Sequence, residues 1–217
     1  MMRLYTMFML VSMAMAAAYA TDNVILMPTS DAQNPKPVEK WFQSLDHAKE
    51  TRTKLHFYFQ DVLGGDSPTV WKVAESAITS TSATTFGQIN MVDDLLTAGP
   101  EPGSEVVGRA QGTIGFADLH DTAIQMGLNI VFTEGKYKGS TISVLGRNPI
   151  FEKDRELPIV GGTGVFRMAR GIAVSNTHSF DVNTNYGVLE YTLFVDTSGI
   201  NGVTRVGFSF SNARRGH

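Results

Sequence analysis

The sequence predicts an all-β fold, an eight-stranded antiparallel β-barrel around a central cavity. Three observations point there. Short runs rich in β-branched and aromatic residues recur at hairpin distance. They are separated by clusters of Gly, Pro, Asn and Asp, and glycine reaches 21 of 217 residues. No helical pattern between them is long enough for a parallel crossover. Eight or nine such strands favour closure, which removes vulnerable sheet edges; a two-sheet sandwich is the alternative. A hydrophobic fraction of 42% against 18% charged residues excludes a disordered chain and a multi-span membrane protein.

The chain opens with Met1-Met2-Arg3, an apolar run from Leu4 to Ala18, and Ala18-Tyr19-Ala20 before Thr21. A positive start, an apolar middle and an A-x-A site make residues 1–20 an expected secretory signal peptide, and the mature protein extracellular. Residues 21–52 read as a leader in which Trp41, Phe42, Leu45 and Ala48 fall at helical spacing, so a short amphipathic helix is expected over 38–50. From 53 to 197 the sequence reads as one β domain. The expected strands lie at about 53–62, 69–79, 86–92, 104–117, 123–133, 140–146, 171–180 and 188–196, with a further run at 203–210 inside a C-terminal tail, 198–217. The turns between them are legible in Gly64-Gly65-Asp66-Ser67-Pro68, Gly99-Pro100-Glu101-Pro102-Gly103 and Asn183-Thr184-Asn185-Tyr186-Gly187.

The absences restrict the chemistry. The sequence has no cysteine, hence no disulfide, thiolate nucleophile or Cys-ligated metal. His47, His56, His120, His178 and His217 show no metal-ligand spacing, so no metal or cofactor is expected. A net charge of −3 gives no basic field for a phosphate backbone, and neither nucleic acid nor a membrane is an expected partner. Gly161-Gly162-Thr163-Gly164 lacks the spacing of a nucleotide-binding loop and reads as a barrel corner. Asp93-Asp94 reads as a solvated acidic pair before a turn, and Gly146 to Leu157 as a polar loop.

One strand carries a chemical signal. Alternation puts Leu55, Phe57, Phe59 and Asp61 on one face, and His56, Tyr58, Gln60 and Val62 on the other. With the phenylalanine face inward, Asp61 ends an apolar wall and must be paired, hydrogen-bonded or protonated. The other reading makes it a cap of the turn at Gly64.

Leu55-His56-Phe57-Tyr58-Phe59-Gln60-Asp61-Val62, Gly108-Arg109-Ala110-Gln111-Gly112 and Phe132-Thr133-Glu134-Gly135-Lys136-Tyr137-Lys138-Gly139-Ser140-Thr141 resemble plant dirigent proteins. So do Gly146-Arg147-Asn148-Pro149, Arg155-Glu156-Leu157-Pro158-Ile159-Val160-Gly161-Gly162-Thr163-Gly164 and Met168-Ala169-Arg170-Gly171, in order over about 53–197. The resemblance implies an allene-oxide-cyclase-like barrel, secreted to the apoplast and forming a homo-oligomer, a dimer or trimer. It also implies the absence of an oxidative centre: a separate laccase or peroxidase makes monolignol radicals, and the barrel orients their coupling to one stereoisomer. Related members act alone on quinone methides as dehydratases or cyclases; a non-catalytic cell-wall role is a third possibility.

The resemblance carries over Asp61 and Arg155 as catalytic residues and Thr177 as a polar cavity position. In a barrel that orients phenols, Phe57 and Phe59 are the expected apolar walls that stack the rings. Lignan-forming members have aspartate where this chain has Asn148, and commonly tyrosine where it has Ile114. With that carboxylate gone, Asp61 is the expected partner of Arg155.

Overall fold

The computed structural model describes residues 36–43, Leu45 and 50–198. The described residues belong to two units that divide between Asp46 and His47. In the first, Lys36–Gln43 is a two-turn helix, α1, with Pro37 near its start and Glu39 in its first turn, both suited to a helix N-terminus. It begins and ends earlier than the expected 38–50. The expected signal peptide and the tail from 199 onward lie outside the described residues.

The described residues of the second unit form nine strands: β1 (Glu50–Val62), β2 (Val70–Ala74), β3 (Ile89–Thr97), β4 (Val106–Phe116), β5 (Ala123–Phe132), β6 (Thr141–Pro149), β7 (Arg155–Thr163), β8 (Arg170–Asp181) and β9 (Tyr186–Ser198). All pairings are antiparallel, in the order β1-β9-β8-β7-β6-β5-β4-β3. Tyr58, Phe59 and Gln60 of β1 pair with Thr97, Leu96 and Leu95 of β3 and close eight strands into the barrel. β2 is an extra strand on β3.

Two boundaries differ from the sequence reading. β3 runs on through Asp93 and Asp94 to Thr97. β7 replaces the second half of the expected polar loop. It alternates Arg155, Leu157 and Ile159 inward with Glu156, Pro158 and Val160 outward, but a proline inside the run argues against a strand. Pro158 is accommodated because the β6–β7 ladder ends at Val144↔Ile159, so its missing N–H interrupts no bond there. Gly146 of β6 makes the room: a Cβ at that position would lie 2.8 Å from Pro158 Cδ. Gly146→Ala is therefore expected to destabilise the barrel by about 1–2 kcal/mol, a fall of roughly 4 °C in Tm by calorimetry.

Alternation sorts the core. Phe57, Leu128, Ile130, Val144, Leu157, Ala173 and Leu193 are buried inside the barrel. Phe132, Tyr137 and Phe166, with ring centroids 4.9–5.6 Å apart, seal the end where β1 and β4 begin. Side chains fill the interior from this seal to the level of Phe59 and Tyr191. The buried polar groups, Asp94, Asn148, Arg155 and Ser175 among them, collect at the opposite end, where β1, β4, β6 and β8 finish.

Candidate functional site

Asp61 sits at that polar end, two residues beyond Phe59 on the inward face of β1. In the β1–β9 ladder it faces Gly187, whose added Cβ would lie 3.6 Å from Asp61 Oδ2. Glycine lets the carboxyl lie against β9. The β1–β3 register ends at Gln60↔Leu95, and its next step brings Asp61 opposite Asp94. Asp94 is 3% exposed and accepts a 2.6 Å hydrogen bond from Thr69 Oγ1. Asp61 Oδ1 is buried with no hydrogen-bond partner among the described residues.

Burial pushes the Asp61 carboxyl up to about 6. Burial, reinforced by the neighbouring charge of Asp61, pushes Asp94 to about 8. Ionising one of two neighbouring acids makes ionising the other costlier, so burial and like charge together favour a proton on the pair at neutral pH. The sequence reading of Asp93-Asp94 as a solvated pair is corrected here. Only Asp93 faces outward, to Arg109 and Gln111. Asp94 alternates inward with Val92 and Leu96.

Arg155 enters from the far wall. Its guanidinium, with the residue 4% exposed, donates to the Ile150 carbonyl, to Thr177 Oγ1 at 3.1 Å and to Ser175 Oγ at 3.1 Å. Nε is buried without a hydrogen-bond partner, and among the described residues no carboxylate lies within ion-pair distance. Burial lowers its proton affinity, with the nearby Tyr191 opposing. The expected Asp61–Arg155 pair is therefore absent. β7 stands three strands from β1 around the wall, about 14 Å at the usual strand spacing.

Tyr191 lies between the two. Its ring stacks on Phe59 at 4.0 Å and 12°. Burial pushes its hydroxyl up to about 12, with a Ser175 hydrogen bond and Arg155 pulling down and both acids pushing up. It stays a neutral phenol. Asn148 is buried, donates to Met126 Sδ at 3.6 Å and leaves Oδ1 unbonded among the described residues. Ile114 pairs with Met126 across the β4–β5 ladder and packs partly buried on the core. Phe57 lies deeper, against Phe59 and Phe132.

The fold thus gathers Asp61, Ile114, Asn148, Arg155 and Thr177 at one end, with Phe59 and Tyr191 as an aromatic floor and Phe57 beneath it. Asp94, Tyr191 and Ser175 were missed. Their inward alternation in β3, β9 and β8 was the available signal. A shallow concavity of about 580 Å³ lies elsewhere, on the outer faces of β1, β8 and β9 around Lys54, Ile172 and Phe194.

One end of this eight-stranded barrel is sealed by aromatic rings, and the other gathers two buried acids and a buried arginine. The sequence profile of dirigent-like proteins matches residues 52–196, and the chain belongs to that family. It is 47% identical over 149 residues to Dirigent protein 21 of Arabidopsis thaliana, covering 69% of this chain and 79% of that protein. It is 42% identical over 153 residues to Pterocarpan synthase 1 of Glycine max, covering 70% and 82%. The solved structure of the pterocarpan synthase dirigent protein GePTS1 superposes with a TM-score of 0.63 at 40% identity, over 69% of this chain and 90% of that one.

Proposed function

We propose that this protein binds a phenolic quinone methide, or the phenoxy radicals whose coupling produces one, and dictates the face at which its ring closes. It performs no oxidation of its own. The observation that carries this reading is the burial of the Asp61 and Asp94 carboxyls together at the polar end, which raises both toward holding a proton. Closure needs an acid and a base together. A substrate hydroxyl forms a C–O bond to the methide carbon and gives its proton to the ionised carboxyl. The carbonyl oxygen becomes a phenol oxygen and receives a proton from the protonated one. Protons balance and no electron leaves the substrate. Arg155 holds the oxygen on which negative charge builds, and the Phe59–Tyr191 stack supports the ring.

Two sources of quinone methide fit. Radical coupling requires a laccase or peroxidase partner, with the barrel supplying orientation to a nearly barrierless reaction. Loss of water from a phenolic alcohol requires no oxidant, and the 42% identity to a pterocarpan synthase favours it as a second reading. We place the activity outside the cell, on the Met1–Ala20 pattern, and in a homo-oligomer, on the family resemblance.

The test is two reaction mixtures read by chiral chromatography: coniferyl alcohol with a one-electron oxidant, and an isoflavanol-type alcohol without one. An excess of one enantiomer in the first supports directed coupling, and turnover in the second supports autonomous dehydration. Racemic product in the first together with no turnover in the second, at saturating protein, overturns the proposal.

A further inference from the structure

The loop leaving β1 at Val62 rejoins the sheet at Thr69, and every polar group of Thr69 is engaged. Its N–H donates to the Val62 carbonyl at 2.8 Å, and its carbonyl accepts from the Asp93 N–H at 2.9 Å. Its Oγ1 accepts the Val62 N–H at 3.0 Å and lies 2.6 Å from Asp94 Oδ1. A threonine hydroxyl has one proton. The Val62 carbonyl, 3.5 Å from Oγ1, is the competing acceptor. With the Val62 N–H filling one acceptor position, the proton goes to Asp94 Oδ1 at the far shorter 2.6 Å, which fixes that oxygen as an acceptor. The proton of a neutral Asp94 carboxyl must then sit on Oδ2.

We propose that Thr69 is a positioning residue: its hydroxyl dictates which oxygen of the Asp61–Asp94 pair carries the shared proton. The sequence hid this role, because Ser67-Pro68-Thr69 closes an ordinary turn. The charged and titratable groups facing Asp94 are Asp61 from β1, Asp93 beside it on β3, Arg109 from β4 and Tyr191 from β9. Thr69 differs from them in donating a side-chain hydrogen bond to Asp94 itself. A donor to a carboxylate favours the ionised form, so it also holds down a proton affinity that burial raises. The catalytic consequence rests on the quinone-methide reading; the protonation geometry does not.

The experiment follows the protonated-carboxyl C=O stretch by difference infrared spectroscopy across pH on the full chain without substrate, with Asp94→Asn assigning the band. Thr69→Val removes the hydroxyl at constant shape, and Thr69→Ser keeps it. The valine variant is expected to titrate about one pH unit higher than the parent, and the serine variant like the parent. The alkaline limb of the pH–rate profile moves in parallel. A valine variant that titrates like the parent overturns the proposal, as does a serine variant shifted as far as valine. Should Thr69→Val fail to fold, Thr69→Ala is read the same way. If the parent converts no phenolic substrate, the quinone-methide reading fails while the infrared titration still decides the role of Thr69.

Discussion

Asp94→Asn is expected to raise the stability of the barrel at pH 8 while lowering its activity about a hundredfold or more. The two effects share one cause. Burial lifts Asp94 to about 8 and Asp61 to about 6, from ordinary values near 3.8. A carboxyl raised in the folded state keeps a proton that the unfolded chain releases, so the fold is penalised as pH rises. The penalty is absent below about pH 4, grows as the unfolded carboxyls ionise, and is complete once pH exceeds the folded value near 8. At pH 8 it is on the order of a few kcal/mol. Asparagine keeps the acceptor for Thr69 and removes the ionisable group, leaving Asp61 raised by its own burial. A gain of about 5 °C in Tm at pH 8, with none at pH 4, is the expected calorimetric result. Acids of opposite sign act at the other limit. Asp118, held low by the Asp121 N–H and Arg147, and Asp181, held low by the Asn183 N–H, lose their contribution as pH falls below about 4. Parent stability therefore peaks in mildly acid solution. An Asp94→Asn variant that melts lower than the parent at pH 8 would show that the buried acid braces the fold.

Most of the architecture was legible because alternation is a local signal: β1, β4, β5, β8 and β9 appear close to their expected places. The failures occur where a residue's local character opposes its place in the sheet. Pro158 and the double glycine disguised β7, and the tolerance for them comes from Gly146 on a neighbouring strand and from a ladder that stops one residue earlier. Asp93-Asp94 looks like a solvated pair, yet a strand has two faces, and the second aspartate points inward. Asp61 and Asp94 are 33 positions apart and meet only because β1 closes on β3. Nothing local announces that closure. Complementary charge led to the expectation that Asp61 pairs with Arg155, but charge alone carries no information about how many strands intervene. Tyr191 alternates with Leu189, Leu193 and Val195 on the inward face of β9, and it gains chemical meaning from the acids and the arginine on either side.

Arg155→Met is expected to cost about a hundredfold in turnover or stereoselectivity while leaving Tm within about 3 °C of the parent. An internal cation normally requires a counter-ion, because desolvation costs several kcal/mol. Among the described residues, Arg155 has the Ile150 carbonyl and the Ser175 and Thr177 hydroxyls. Methionine fills the same volume without charge. It leaves the Ile150 carbonyl short of a donor but lifts the desolvation cost, and the two changes largely cancel. The functional loss does not cancel, since a preorganised cation facing a developing phenolate is worth two to three orders of magnitude in comparable sites. Arg155→Lys is expected to fall between parent and methionine: it keeps the charge and loses the planar fork that reaches three acceptors at once. Full activity in the methionine variant would remove Arg155 from the mechanism, and a Tm fall beyond about 10 °C would make it a brace between β7 and β8. The proposed ring closure itself calls for the separation of this cation from Asp61. A direct pair would draw the carboxyl back to the ionised form at neutral pH. The acid pair would surrender its proton, and the cation would be spent before any phenolate arrived.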